Sequence, residues 1–99
     1  MEGSEVMIKF DELRMPQRLA LADMVARGGI DRTEDGFEGT LVHRPQTVRA
    51  LAKRGLCVIR ARTGVEATTL GRCVVSRALG PNIYGGAVAV IDAARTRKR

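Results

Sequence analysis

An α+β fold of three or four helices with a small antiparallel β-hairpin is what the sequence predicts, and three observations carry the prediction. Two segments of helical spacing each open on a proline and stop at a glycine. Behind the second comes a β-branched, alternating run that turns at Arg-Thr-Gly and returns. A further apolar helical segment then starts at a threonine and ends at Gly80-Pro81. A chain of 99 residues is enough for one domain. Its core is expected over 5–80, with 81–99 as a C-terminal segment carrying a basic tail.

Taken in order, Met1 to Ser4 read as a loose start. Over 5–14, Val6, Ile8 and Phe10 alternate like a strand, while Val6, Phe10 and Leu13 also share a helical face. The strand is favoured. Pro16 suits the first turn of a helix at about 16–28, with Leu19, Ala22, Met24, Val25 and Ala26 inward. Arg18, Asp23 and Arg27 fall outside that stripe, and Gly28-Gly29 ends the helix. Residues 31–39 are a polar loop turning at Asp35-Gly36, and Phe37 to Val42 is a short strand.

Pro45 opens the second helix, Val48, Leu51 and Ala52 face inward, and Gly55 stops it. Leu56 to Ala61 and Glu66 to Thr68 form the hairpin around Arg62-Thr63-Gly64-Val65. Thr68 or Thr69 caps a third helix running to Leu79, and Gly71 in its first turn leaves room for a neighbouring backbone. Residues 82–86 read as a loop. Over 87–95 the alanines favour a helix, against a strand at 87–91.

Charge narrows the function. The formal net charge is +6, and its distribution is uneven. Residues 1–40 hold nine acids and five bases, whereas 41–99 hold two acids and twelve bases, so the two halves carry −4 and +10. An acidic and a basic face follow, and the basic one invites an anionic partner. Aromatics make up only 3%, so the basic tail (Arg95, Arg97, Lys98, Arg99) has no rings with which to stack single-stranded bases. No segment reaches a membrane-spanning length and no signal sequence opens the chain, so a soluble protein of a reducing cytoplasm is expected.

Cys57 and Cys73 lie among apolar residues and are expected as buried free thiols. With His43 they make at most three scattered ligands, a poor basis for zinc. His43 is the only histidine, and no glycine-rich phosphate loop is present. A binding protein without catalytic residues, metal or cofactor is the expectation.

Two segments resemble a known family. "TVRALAKRGL" (47–56) looks like the end of a winged-helix recognition helix entering the first wing strand. "IRARTGVEATTLGR" (59–72) is similar to the wing followed by the Thr-x-x-Gly-Arg start of the next helix in small bacterial and phage regulators. Together they cover about the central half of the chain. What the resemblance implies is a transcriptional regulator that binds double-stranded DNA, with or without sequence specificity. Gln46, Thr47, Arg49 and Lys53 would face a groove, Arg60, Arg62 and Thr63 would lie on the wing, and Arg44, which introduces the helix, would join them in binding DNA. One departure stands out. The interval 30–43 carries Gly36, Gly39 and "FEGTLV" where the family places another helix. The alternative is a protein-interaction module on the same scaffold, engaging its partner through 31–38 or 87–94. Dimerisation would help a chain this small in either case.

Overall fold

The computed structural model describes residues 8–60 and 64–97. The loose start, the strand residues before Ile8, the turn residues Arg62 and Thr63, and Lys98 and Arg99 of the tail lie outside them. The fold is α+β, with four α-helices and two small antiparallel sheets.

The strand expected over 5–14 does not form in its described part. Phe10–Glu12 is instead a single 3-10 turn, in which Leu13 N–H donates to Phe10 O at 3.1 Å. The helical-face reading prevails because Phe10 and Leu13 both bury their side chains. Helix α1 (Met15–Arg27) follows, with Pro16 in its first turn, and ends at Gly28 in the left-handed region, φ 76°. Its buried surface is wider than a one-sided stripe. Every residue from Ala20 to Val25 is buried, Asp23 included, because α1 is packed by all three other helices and the hairpin. Leu19, expected inside, is only half-buried.

Between α1 and the second helix stands a three-stranded antiparallel meander rather than one strand and a loop. Its strands are β1 (Asp31–Arg32), β2 (Phe37–Glu38) and β3 (Val42–His43). Asp31 pairs with Glu38, Arg32 with Phe37, Phe37 with His43, and Glu38 with Val42. The Arg32 guanidinium sits 5.9 Å over the Phe37 ring, at the outer limit of a cation–π contact.

Helix α2 (Pro45–Lys53) runs into β4 (Cys57–Arg60), which pairs with β5 (Gly64–Ala67). Ile30 adds a one-residue third strand on the other edge of β5: it exchanges two 2.9 Å backbone bonds with Val65. Helix α3 (Thr69–Leu79) starts at Thr68, whose hydroxyl accepts from Gly71 N–H at 3.1 Å and donates to Gly55 O at 2.6 Å. One side chain thereby caps α3 and ties it to the end of α2. Val74 and Val75 are the inward residues of α3 beyond Gly71, so Cys73 points out and is exposed, contrary to expectation. Cys57 is buried as expected, its Sγ 3.6 Å from Val48 O, and burial pushes its thiol pKa up to about 11.

The Asn-Gly stretch 82–86 is not a loop. Asn82 Oδ1 accepts from Gly85 N–H at 3.1 Å and starts helix α4 (Ile83–Arg97), which begins four residues earlier than expected. Helix α4 lies along α1 and buries Ala87 and Ile91, extending the core past residue 80. No single helix among the described residues is long and apolar enough to cross a membrane.

The centre of the core is Leu21, Met24, Leu51, Leu56, Val74 and Val75, each removed from water and each contributing about 1.5–3 kcal/mol relative to exposure. Gly71 is a tight joint in it. A Cβ there would overlap the Leu56 carbonyl oxygen and press on Leu21 Cδ1 at 3.3 Å. Because a backbone carbonyl cannot step aside as a side chain can, Gly71→Ala should destabilise the protein by about 2 kcal/mol. Thermal unfolding followed by circular dichroism should show a melting point lower by roughly 10 °C; an unchanged midpoint would mean that α3 can lift off β4 without loss.

Candidate nucleic-acid interface

Helix α2 is short, amphipathic and cationic. Val48 and Leu51 are buried, while Gln46, Arg49 and Lys53 are exposed. Their spacing of three and four residues sets these three in one line along the helix, away from the core. The helix itself contains no acid. Arg54, which follows directly, is exposed as well.

The other expected residues are not all gathered on that line. Arg44 and Thr47 border a groove of about 600 Å³ shared with β3 and the start of α1, which Gln46, at the end of the line, borders as well. Thr47 is half-buried there and Arg44 exposed. On β4, Arg60 Nε lies 3.2 Å from Glu66 Oε2, and both side chains are about half exposed, 54% and 50%. Such a surface pair is worth little and leaves the guanidinium free to exchange partners. Arg62 and Thr63, expected on the wing, lie outside the described residues. Arg49 also borders a shallow pocket of about 170 Å³ with Glu34 and Asp35. The acidic and basic faces therefore meet at Arg49 instead of lying on opposite sides.

What positions α2 is a group that the sequence reading set aside. Asp23, in the middle of α1, is fully buried, and three donors converge on its carboxylate. Thr40 N–H donates to Oδ1 at 3.0 Å, and Leu41 N–H to Oδ2 at 2.9 Å. His43 Nε2 is 2.7 Å from Oδ2. Burial by itself would raise the Asp23 pKa, but the bonds from His43, Leu41 and Thr40 outweigh it and hold the carboxyl below its ordinary value. The carboxylate is thus ionised, so the proton in the short contact is carried by His43 Nε2. His43 precedes Arg44, the N-cap of α2, so fixing the imidazole fixes where the cationic helix begins. A usable signal was present: an acid flanked by Leu21, Ala22, Met24 and Val25, in a chain with one histidine, calls for a buried partner.

The same clamp excludes a side chain at position 39, since a Cβ on Gly39 would stand 2.7 Å from Asp23 Oδ2 and 2.6 Å from Ile30 Cγ2. Among the described residues no group of three or more His, Cys, Asp or Glu side chains is placed to hold a metal ion. No protein-family model matches the chain, and neither a curated protein nor a solved structure matches it.

Removing the acceptor while keeping the shape tests the clamp. Asp23→Asn leaves at least one inward amide or imidazole donor unanswered and should destabilise the protein by about 3 kcal/mol at neutral pH. The folded pKa of Asp23 is depressed, so its stabilisation is complete well above about pH 4 and is lost as pH falls through the folded pKa. Urea unfolding across a pH series should therefore show the gap between parent and variant narrowing below about pH 4. A gap independent of acid pH would mean that the charge contributes nothing.

Proposed function

We propose that the chain is a small winged-helix-like protein that binds double-stranded DNA and acts as a regulator by binding rather than by catalysis. The observation that carries the reading is the outward line Gln46, Arg49 and Lys53 on a helix without acids. That helix leads straight into a hairpin extended by Ile30. The order α1, Ile30 strand, α2, β4, β5, α3 is compatible with a winged helix in which the β1–β3 meander stands where the family has a helix. In this reading α2 enters a groove, Arg49 and Lys53 meet phosphates or guanine edges, and Gln46 meets adenine. The exposed Arg60 on β4 adds a phosphate contact from the hairpin, exchanging its bond to Glu66 for one to DNA.

The acidic turn beside Arg49 works against the phosphates. At ~10 Å in water each carboxylate opposes a phosphate by about 0.4 kcal/mol, close to twofold in affinity. It tempers non-specific attraction without abolishing it.

Fluorescence anisotropy with a random duplex across a salt series tests the reading. Binding should weaken with salt at a log–log slope of about −0.9 per phosphate neutralised. Arg49→Ala with Lys53→Ala should lower affinity and flatten the slope by about two units. Absence of binding at low salt would end the proposal.

A second measurement probes the acidic turn. Glu34→Gln with Asp35→Asn should strengthen binding at low salt by roughly fourfold and leave the high-salt affinity nearly unchanged. Weaker binding in that variant would mean that the turn supports α2 rather than repelling the ligand.

A further inference from the structure

A second surface is unlike the first. Beside the groove at Arg44 runs another of about 250 Å³ between α1 and α4, and the two share Met15 and Leu19. Together they form one apolar strip across α1, from Val90 and Ala93 of α4 to Leu41 and Val42 at β3. Parts of it are openly exposed: Val42 by 74% and Met15 by 45%. These are large apolar side chains with no core role, and their clustering is what distinguishes an interaction surface from scattered surface residues.

The strip is also one-signed. Arg18, Arg44 and His43 are its titratable residues, and among the described residues its lining holds no Asp or Glu. Arg18 Nε is buried yet has no hydrogen-bond partner among the described residues. That atom is out of solvent, and it is as a half-buried cation on the lining of the second groove that Arg18 bears on an occupant. Apolar floor and cationic edge specify the chemistry of the occupant.

We propose that this strip is the docking groove for an acidic, amphipathic helical segment of a protein partner. Its apolar residues would lie over Met15, Leu19 and Val42, and a Glu or Asp would reach Arg18 and Arg44. Duplex DNA answers the arginines but offers nothing extended to set against Met15 and Val42. A second copy of the chain is a poorer fit: its exposed acids at Asp31, Glu34, Asp35 and Glu38 sit on short strands and a turn whose one large apolar residue, Phe37, is buried. Asp11 and Glu12 sit on a single 3-10 turn with Phe10 buried, and Glu66 lies against Arg60. Asp92, the one acid on the exposed side of α4 that carries Tyr84 and Val88, lies against Arg95. The groove meets the DNA reading at Arg44, Gln46 and Thr47, whereas Arg49 and Lys53 do not line it.

The test is selection from a random-peptide library, long enough for about four helical turns, against the immobilised full chain. Peptides combining Asp or Glu with helically spaced apolar residues should be enriched. Their affinity should fall roughly tenfold or more on Val42→Asp and on Arg18→Gln. The largely exposed Val42 makes the first variant safe for folding, which circular dichroism checks; Met15→Glu is a second. Arg49→Ala with Lys53→Ala should leave peptide affinity unchanged, so loss of the DNA reading and loss of this one are told apart. The proposal is overturned if no acidic bias is selected, or if binding ignores both variants. It is equally overturned if a short duplex, or self-association seen by sedimentation, is what Val42→Asp abolishes.

Discussion

A carboxylate buried in the middle of a helix must be answered by donors, and in this protein the answer to Asp23 organises everything between residues 39 and 45. Thr40 and Leu41 bring their backbone N–H groups to it and His43 brings its imidazole. Without those three bonds an ionised group in that position would be worth several kcal/mol against the fold. With them, a meander of two-residue strands, too short to hold itself together, acquires a fixed place on α1. Gly39 belongs to the same constraint, since only a residue without Cβ leaves room for the carboxylate and Ile30 together.

From that clamp the position of α2 follows. His43 ends β3, Arg44 caps the helix and Pro45 occupies its first turn, so no slack separates the clamp from the cationic face. At the other end, the Thr68 hydroxyl holds Gly55 O, and Leu56 lies against Gly71. A nine-residue helix is marginal in isolation. Here both ends are pinned by polar contacts and the middle by Val48 and Leu51, which gives its outward residues a defined direction. In the proposed reading such rigidity matters, because contacts to base edges require side chains presented from a fixed axis.

How much of this was legible depends on whether an element carries a period. Helices α1, α2 and α3 and the β4–β5 hairpin could be read because apolar spacing, proline entries and glycine stops coincide in them. The close approach at Gly71 was legible for the same reason: glycine in a first helical turn has few other uses. Strands of two residues have no period to show, so β1 and β3 were invisible and 37–42 read as a single strand. Asn82 with two following glycines looked like a loop because the residues that cap a helix also make turns. Asp23 was misplaced because a one-sided stripe was assumed for α1, whereas a helix packed on several sides buries a polar residue where it finds partners. Of the expected interface, the α2 line was legible; the meeting of Arg49 with the acidic turn was not, because it depends on how the meander folds back.

The two charged surfaces divide the molecule in a way that composition alone does not suggest. Arg49 of α2 stands beside Glu34 and Asp35, so its field is local and partly cancelled. Arg18 and Arg44 instead border apolar surface with no acid in the lining, where the dielectric is lower and a single ion pair counts for more. In the two proposed readings, long-range attraction would come from α2 and short-range selectivity from the strip across α1. Because Arg44 stands at the start of α2 and also lines the strip, a ligand on either surface touches the same short segment that Asp23 holds in place. Were both proposed ligands bound, their occupancy would be coupled through residues 41–47, by shared contact and without any need for a change of fold.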